Sequence, residues 1–268
     1  MVDPLRIVFL GTPAFAVPTL RHLLASRHQV CGVITQPDRP RGRGQKVIES
    51  PVKALAVESG LPLIQPPRIR TPDVGQTIRE WRPDLGVVAA YGQLIPEELL
   101  AIPRLGMINV HASLLPKYRG AAPVHRAVID GEPETGVTIM RVVKALDSGN
   151  MLATYAPRLT KEEGVIDWTL PAVFIHNRVR GLYPWPHAYT YLDGQRLILL
   201  RTHVETGAPS ALAPGTIVEV SRDAIHVTTG QGGRIAISEL QREGGKPLIA
   251  HDFLAGYAIA PGSVLTGA

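Results

Sequence analysis

Asn109 and His111 lie two residues apart in residues 106–120, GMINVHASLLPKYRG. An extended backbone puts both side chains on one face and turns Ile108 and Val110 to the other. An amide beside an imidazole can polarise a carbonyl, hold a developing oxyanion and move a proton. A lone histidine is more often structural, but its same-face partner and the strand end after it favour chemistry at His111. Ser113 breaks the strand. Leu114, Leu115 and Pro116 then open an irregular loop to Gly120, the kind of strand end at which open α/β sheets bind ligands. Asp147, in the polar run 144–150, could orient His111 and stabilise its charged form. Turns also select Asp for their own geometry, so its type and place alone leave both roles open.

A second group is cationic. Residues 36–50, QPDRPRGRGQKVIES, interleave Arg39, Arg41, Arg43 and Lys46 with Pro37, Pro40, Gly42 and Gly44. Read as a long loop without regular structure, this stretch is either a solvated surface or a phosphate contact. The second reading is favoured because the four cations outnumber Asp38 and Glu49, and glycines let backbone approach a polyanion. Gln93, Leu94 and Ile95 follow a buried strand and could offer backbone groups to a flat heterocycle; an ordinary strand-to-helix connection is the alternative. Other chemistries find no support. The histidines lack ligand spacing and Cys31 is a single cysteine, so no metal site and no internal disulfide are expected. Ser113 is not set in G-x-S-x-G, and Gly11 alone cannot supply a dinucleotide fingerprint. His125 reads as a packing residue.

These residues need a sheet to hold them. Apolar runs at 5–10, 30–35, 61–65, 85–91 and 106–112 alternate with helical spacing at 14–26, 51–59, 72–81 and 122–129, followed by a strand at 135–142. That pattern predicts an α/β domain with a Rossmann-like, mostly parallel sheet. From residue 160 the character changes. A helix at 170–180 precedes five short β segments, at 187–192, 196–203, 215–220, 224–228 and 235–240, a count that suits a C-terminal OB-like β-barrel, with a loose tail after Pro261-Gly262. The expected division is 1–153, a linker at 154–169, and 170–268. With 268 residues and 45% hydrophobic content, two packed domains are affordable. No leader or apolar span of membrane length is read, so a cytoplasmic monomer is expected. The net charge of +5 lies wholly in residues 1–153, because residues 154–268 carry ten Lys/Arg against ten Asp/Glu. An anionic partner therefore cannot be held by a uniformly basic C-terminal half.

INVHASLLPKYRGAAP resembles the signature of the folate-dependent formyltransferases. The likeness runs nearly end to end, through RIVFLGTPAFA, TQPDRPRGRGQK, SPVKALA, AAYGQLIP, ETGVTIM, LDSGNML, TKEEGVIDW, RGLYPWPHAY and APGTI. The arginine-rich stretch and the C-terminal half resemble the branch that acts on tRNA. The resemblance implies formyl transfer from 10-formyltetrahydrofolate to the α-amino group of methionyl-initiator tRNA. It makes Asn109, His111 and Asp147 catalytic and gives folate Ser113, Leu114, Leu115 and Pro116, with Gln93, Leu94 and Ile95 toward the pterin. Arg43 would meet the tRNA acceptor end, supported by Arg39, Arg41 and Lys46. The competing expectations are a related enzyme with a glycinamide ribonucleotide or amino sugar nucleotide acceptor, and an inactive folate- or RNA-binding module. One departure stands out: the family pattern holds several tens of residues between the segments matching LDSGNML and TYAPRLTKEEG, whereas here Leu152-Ala153 runs straight into Thr154-Tyr155. A deletion there would bare part of the sheet.

Overall fold

The computed structural model describes residues 3–41, 46–142, 155–206 and 210–267. They fall into two compact units, one of residues 1–112 and 137–151, the other of 113–136 and 152–268. In the first unit β1 (Arg6–Gly11) leads into α1 (Val17–Leu24), then β2 (Gln29–Ile34), β3 (Arg39–Arg41), β4 (Lys46–Ile48) and α2 (Pro51–Glu58). β5 (Leu63–Ile64), α3 (Pro72–Trp81), β6 (Leu85–Ala89), α4 (Glu97–Leu100) and β7 (Met107–His111) follow. The chain then contributes β8 (Arg119–Gly120) and α5 (Pro123–Ile129) to the second unit and returns as β9 (Thr138–Arg141).

The sheet runs β5-β2-β1-β6-β7-β9, parallel apart from β9, which is antiparallel to β7. The two-residue period sorts β1 onto two cores. Ile7 and Phe9 pack with Leu20 of α1 and Val52, Leu55 and Ala56 of α2; Val8 and Leu10 pack with Val74 and Ile78 of α3 and Leu99 of α4. Burying such side chains contributes about 1.5–3 kcal/mol each, which fixes the register, since a one-residue slip would exchange the faces. Helix starts agree with local chemistry: Pro51 begins α2, and the Ser50 hydroxyl accepts from the Lys53 N–H at 3.1 Å. On the α1 side of the sheet, Pro18, Leu23, Val110 and Ile139 line an open, largely apolar hollow of about 350 Å³, with Ile139 58% exposed.

In the second unit β10 (Tyr155–Ala156) pairs with β8, and α6 (Ala172–Gly181) packs on α5. A Cβ at Gly181 would lie 2.4 Å from Ile129, so the glycine allows that approach. An antiparallel sheet follows: β11 (Ala188–Leu192), β12 (Gln195–Glu205), β13 (Ile217–Val220), β14 (Ile225–Thr228) and β15 (Arg234–Arg242), in the order β11-β12-β15-β14-β13. β16 (Leu248–Ile249) pairs with β15, and α7 (Ala250–Gly256) packs Phe253 into the core with Ile217, Val227, Ile235 and Ile237.

Several expectations need correction. Part of 36–50 is regular: β3 and β4 form an antiparallel hairpin in which Arg41 pairs with Lys46, a pairing that the Pro- and Gly-rich composition concealed. The 85–91 strand stops at Ala89 because Ala90 and Gly92 turn to φ 47° and 87°. The tail is not loose. Leu265 is 3% exposed, Thr266 exchanges two 2.9 Å backbone bonds with Tyr191 beside it on β11, and Leu265 donates to Gly215 at 2.8 Å, next to β13. The buried Thr190 hydroxyl continues this tie, accepting from Trp168 Nε1 at 2.9 Å and donating to the Thr266 carbonyl at 2.8 Å.

Candidate active site

β7 carries Asn109 and His111 on the face that also holds Met107, which packs in the α3/α4 core; Ile108 and Val110 pack on the α1/α2 side. Val88 of β6 stands beside Asn109 on one flank, and Met140 of β9 on the other; His111 is paired with Thr138. Both side chains are half-buried. An amide and an imidazole thus share one face at the carboxyl end of a central strand, where open sheets place ligands.

The neighbouring strand ends are tied by residues that motif reading did not single out. The Tyr91 carbonyl accepts from Thr12 Oγ1 at 3.2 Å and Gln36 Nε2 at 3.1 Å, while the Gln36 N–H donates to Thr12 Oγ1 at 3.3 Å. Thr12 directly follows β1 and Gln36 lies two residues past the end of β2, the signal that could have found them. The Tyr91 hydroxyl is buried and has no hydrogen-bond partner among the described residues; burial pushes its pKa up to about 12. Gln93 is occupied, its amide accepting from the Ile69 N–H at 2.8 Å and donating to the Pro67 carbonyl at 3.4 Å. Leu94 is 61% exposed and Ile95 packs against the α3/α4 core.

The β3/β4 hairpin presents Arg39 exposed, with Nη2 donating to Gln36 Oε1 at 3.5 Å. Asp38 and Glu49, the acids of this stretch, both pair with Lys53 of α2, and Lys53, with Gln65 next, holds the Asp38 carboxyl below its ordinary range. Arg41 and Lys46 are paired in the hairpin; Arg43 lies outside the described residues, as do Asp147 and the 151–154 junction.

Ser113 to Pro116 belong to the second unit. Ser113 is fully buried and donates to the Lys117 carbonyl at 2.7 Å, Leu115 is half-buried, and Leu114 and Pro116 are exposed. His125 keeps its packing role, with Nδ1 2.8 Å from the Gly181 carbonyl. Among the described residues no group of three or more His, Cys, Asp or Glu could hold a metal ion, and no helix is long and apolar enough to cross a membrane.

Residues 5–168 match the model for "Formyl transferase", and residues 158–258 that for "Formyl transferase, C-terminal domain". A methionyl-tRNA formyltransferase of Geobacter sulfurreducens is 45% identical, over 97% of this chain and 96% of its own length; one from Acetivibrio thermocellus is 38% identical over 97% and 99%. The first alignment has 312 positions but covers about 260 of the 268 residues here, so about 50 of its positions have no counterpart in this chain. Among solved structures, HypX from Aquifex aeolicus in complex with tetrahydrofolic acid shares the fold at TM-score 0.57 and 14% identity, over 98% of this chain and 51% of HypX, about half its length. WlaRD, a sugar 3N-formyl transferase, aligns at TM-score 0.57 and 15% identity, over 88% and 98%.

Proposed function

The chain belongs to the formyl transferase family, and from that membership we infer that it moves the formyl group of 10-formyltetrahydrofolate onto the α-amino group of methionyl-initiator tRNA. The observation that carries this reading is the 45% identity to a methionyl-tRNA formyltransferase over nearly the whole of both chains. The free amine attacks the formyl carbon and the folate nitrogen leaves. The Asn109 amide and a protonated His111 stabilise the tetrahedral oxyanion, and Asp147 orients His111 and helps pass the amine's proton to the leaving nitrogen. Residues 113–116 hold the folate, with the 93–95 segment toward its pterin. Arg39, Arg41, Arg43 and Lys46 take the tRNA acceptor end. That both acids of the hairpin stretch bond Lys53 supports this assignment.

In this reading residues 1–153 are catalytic, 154–169 a linker, and 170–268 an OB-like tRNA-binding domain. The tail's bonds to both ends of the strand order support a closed barrel. The protein works as a cytoplasmic monomer. We place the relatives' additional positions near residues 152–154, where the sequence departs from the family pattern, and the open hollow at Val110 and Ile139 fits their loss. The competing reading, a small-amine acceptor, has no need of the cationic hairpin.

Asn109→Ala and His111→Ala should each lower turnover about 100-fold or more, the cost typical of losing one oxyanion donor, with tRNA affinity unchanged. Unchanged turnover would remove either residue from its role. Arg43→Ala should raise the KM for tRNA and leave folate binding intact; isotherms for the two ligands decide.

A further inference from the structure

In the second unit, the loop between Ser113 and Gly120 is held in a shape its sequence disfavours. Tyr118 has φ 58°. A bulky side chain enters this left-handed region at a cost, and such strain persists where the surroundings over-determine it, often beside ligands. Here the surroundings are residues 130–136. Tyr118 is 4% exposed, and its hydroxyl lies 2.9 Å from Asp130 Oδ2 and 3.0 Å from Glu132 Oε1, able to donate to either. Lys117 Nζ donates to both Glu132 oxygens at 2.9 and 3.0 Å. A Cβ on Gly136 would come 2.6 Å from Leu114 Cδ2, so only a glycine there lets Leu114 lie as it does. The Ser113 hydroxyl closes the loop on the Lys117 carbonyl. Burial, reinforced by the two carboxylates, drives the Tyr118 phenol far above its usual range, and Lys117, then Tyr118, hold Glu132 below its own. The phenol therefore remains a donor at neutral pH.

Lys117 and Tyr118 turn toward the 130–136 segment, while Leu114, 45% exposed beside Gly136, and the exposed Pro116 leave apolar surface open to solvent. A rigid backbone with an apolar lip suits a flat heterocycle, whose binding is strengthened when the site needs no ordering. We propose that residues 130–136 are a clamp that pre-organises the 113–118 loop for a reduced folate, with Tyr118 and Glu132 as positioning residues acting through that loop. The proposal rests on the folate reading given above.

The test uses the full chain with Tyr118→Phe, which deletes one hydroxyl, and Glu132→Gln, which keeps an acceptor but loses the charge facing Lys117. Isotherms with 5-formyltetrahydrofolate are compared with steady-state KM values for the formyl donor and for methionyl-tRNA, thermal melts confirming that each variant is folded. Tyr118→Phe should weaken folate binding about 10-fold, the usual consequence of losing a hydrogen bond to a charged group, and Glu132→Gln about 3-fold. The donor KM should rise in parallel, with kcat and the methionyl-tRNA KM unchanged. Folate binding equal to wild type in both folded variants overturns the clamp, as does a fall in kcat at constant donor KM. A wild-type chain that binds no folate overturns the clamp and the folate reading together.

Discussion

Replacing Glu163 with Ala should destabilise the second unit by an amount its geometry allows to be worked out. Its two carboxylate oxygens meet the two terminal nitrogens of Arg126, one bond measuring 3.0 Å, and also accept from the Thr160 N–H at 2.9 Å. Arg126 lies on α5 and Glu163 beyond residue 152, so the pair joins two sequence-distant parts of one unit. The side chains are 15% and 26% exposed. Breaking a fully buried pair costs about 3–5 kcal/mol and an exposed one under about 1 kcal/mol, so about 2 kcal/mol is expected here. For the unit's roughly 140 residues this lowers Tm by about 7 °C, or about 4 °C if the whole chain unfolds together. Arg126, foremost, holds the Glu163 carboxyl below its ordinary 4.5. A depressed carboxylate pKa stabilises above the unfolded value and loses that effect as pH falls through the folded one. The variant's penalty should therefore be full at neutral pH and shrink below about pH 4.5. Urea titrations of wild type, Glu163→Ala, Arg126→Ala and the double variant measure both the cost and the coupling. A cost below about 0.5 kcal/mol, or no coupling between the two sites, would refute the reasoning.

Two further outcomes follow from the second unit. Burial pushes the pKa of both His176 and His187 below 6.5, with Arg180 and Arg196 respectively as lesser causes. In that window the unfolded chain binds more protons, so stability should fall on acidification from about pH 7 to 5, before carboxylates titrate, and His187→Gln should flatten that slope; an unchanged slope contradicts the assignment. Leu265→Ala should cost about 2–5 kcal/mol in chemical unfolding, as a buried leucine in the tail's tie to the sheet does; a surface-like cost below about 0.5 kcal/mol would show that the tail is not part of the core.

The sequence carried the elements whose period is strong and local. The helix expected at 72–81 is α3, and the alternation in INVH put Asn109 and His111 on one face of β7. What escaped was set by partners far along the chain. The β8–β10 pair joins residues 36 apart, the tail's anchoring depends on β11 and the start of β13, and α4 is a single turn without periodicity. Composition hid the β3/β4 hairpin, because Pro, Gly and Arg read as a loop until Arg39 is set opposite Ile48. Within the candidate site, position after a buried strand suggested the backbone of residues 93–95 for a ligand, while the bonds of the Gln93 side-chain amide to residues 67–69 are visible only in the fold; Tyr118 carried no signal, since its left-handed φ and its carboxylate partners exist only in the fold.

Formyl acceptor choice tests the central claim most directly. With 10-formyltetrahydrofolate as donor, the purified chain should formylate methionyl-initiator tRNA with a kcat/KM far above that for glycinamide ribonucleotide or an amino sugar nucleotide. Preference for a small amine, or folate binding without turnover on the charged tRNA, would contradict it.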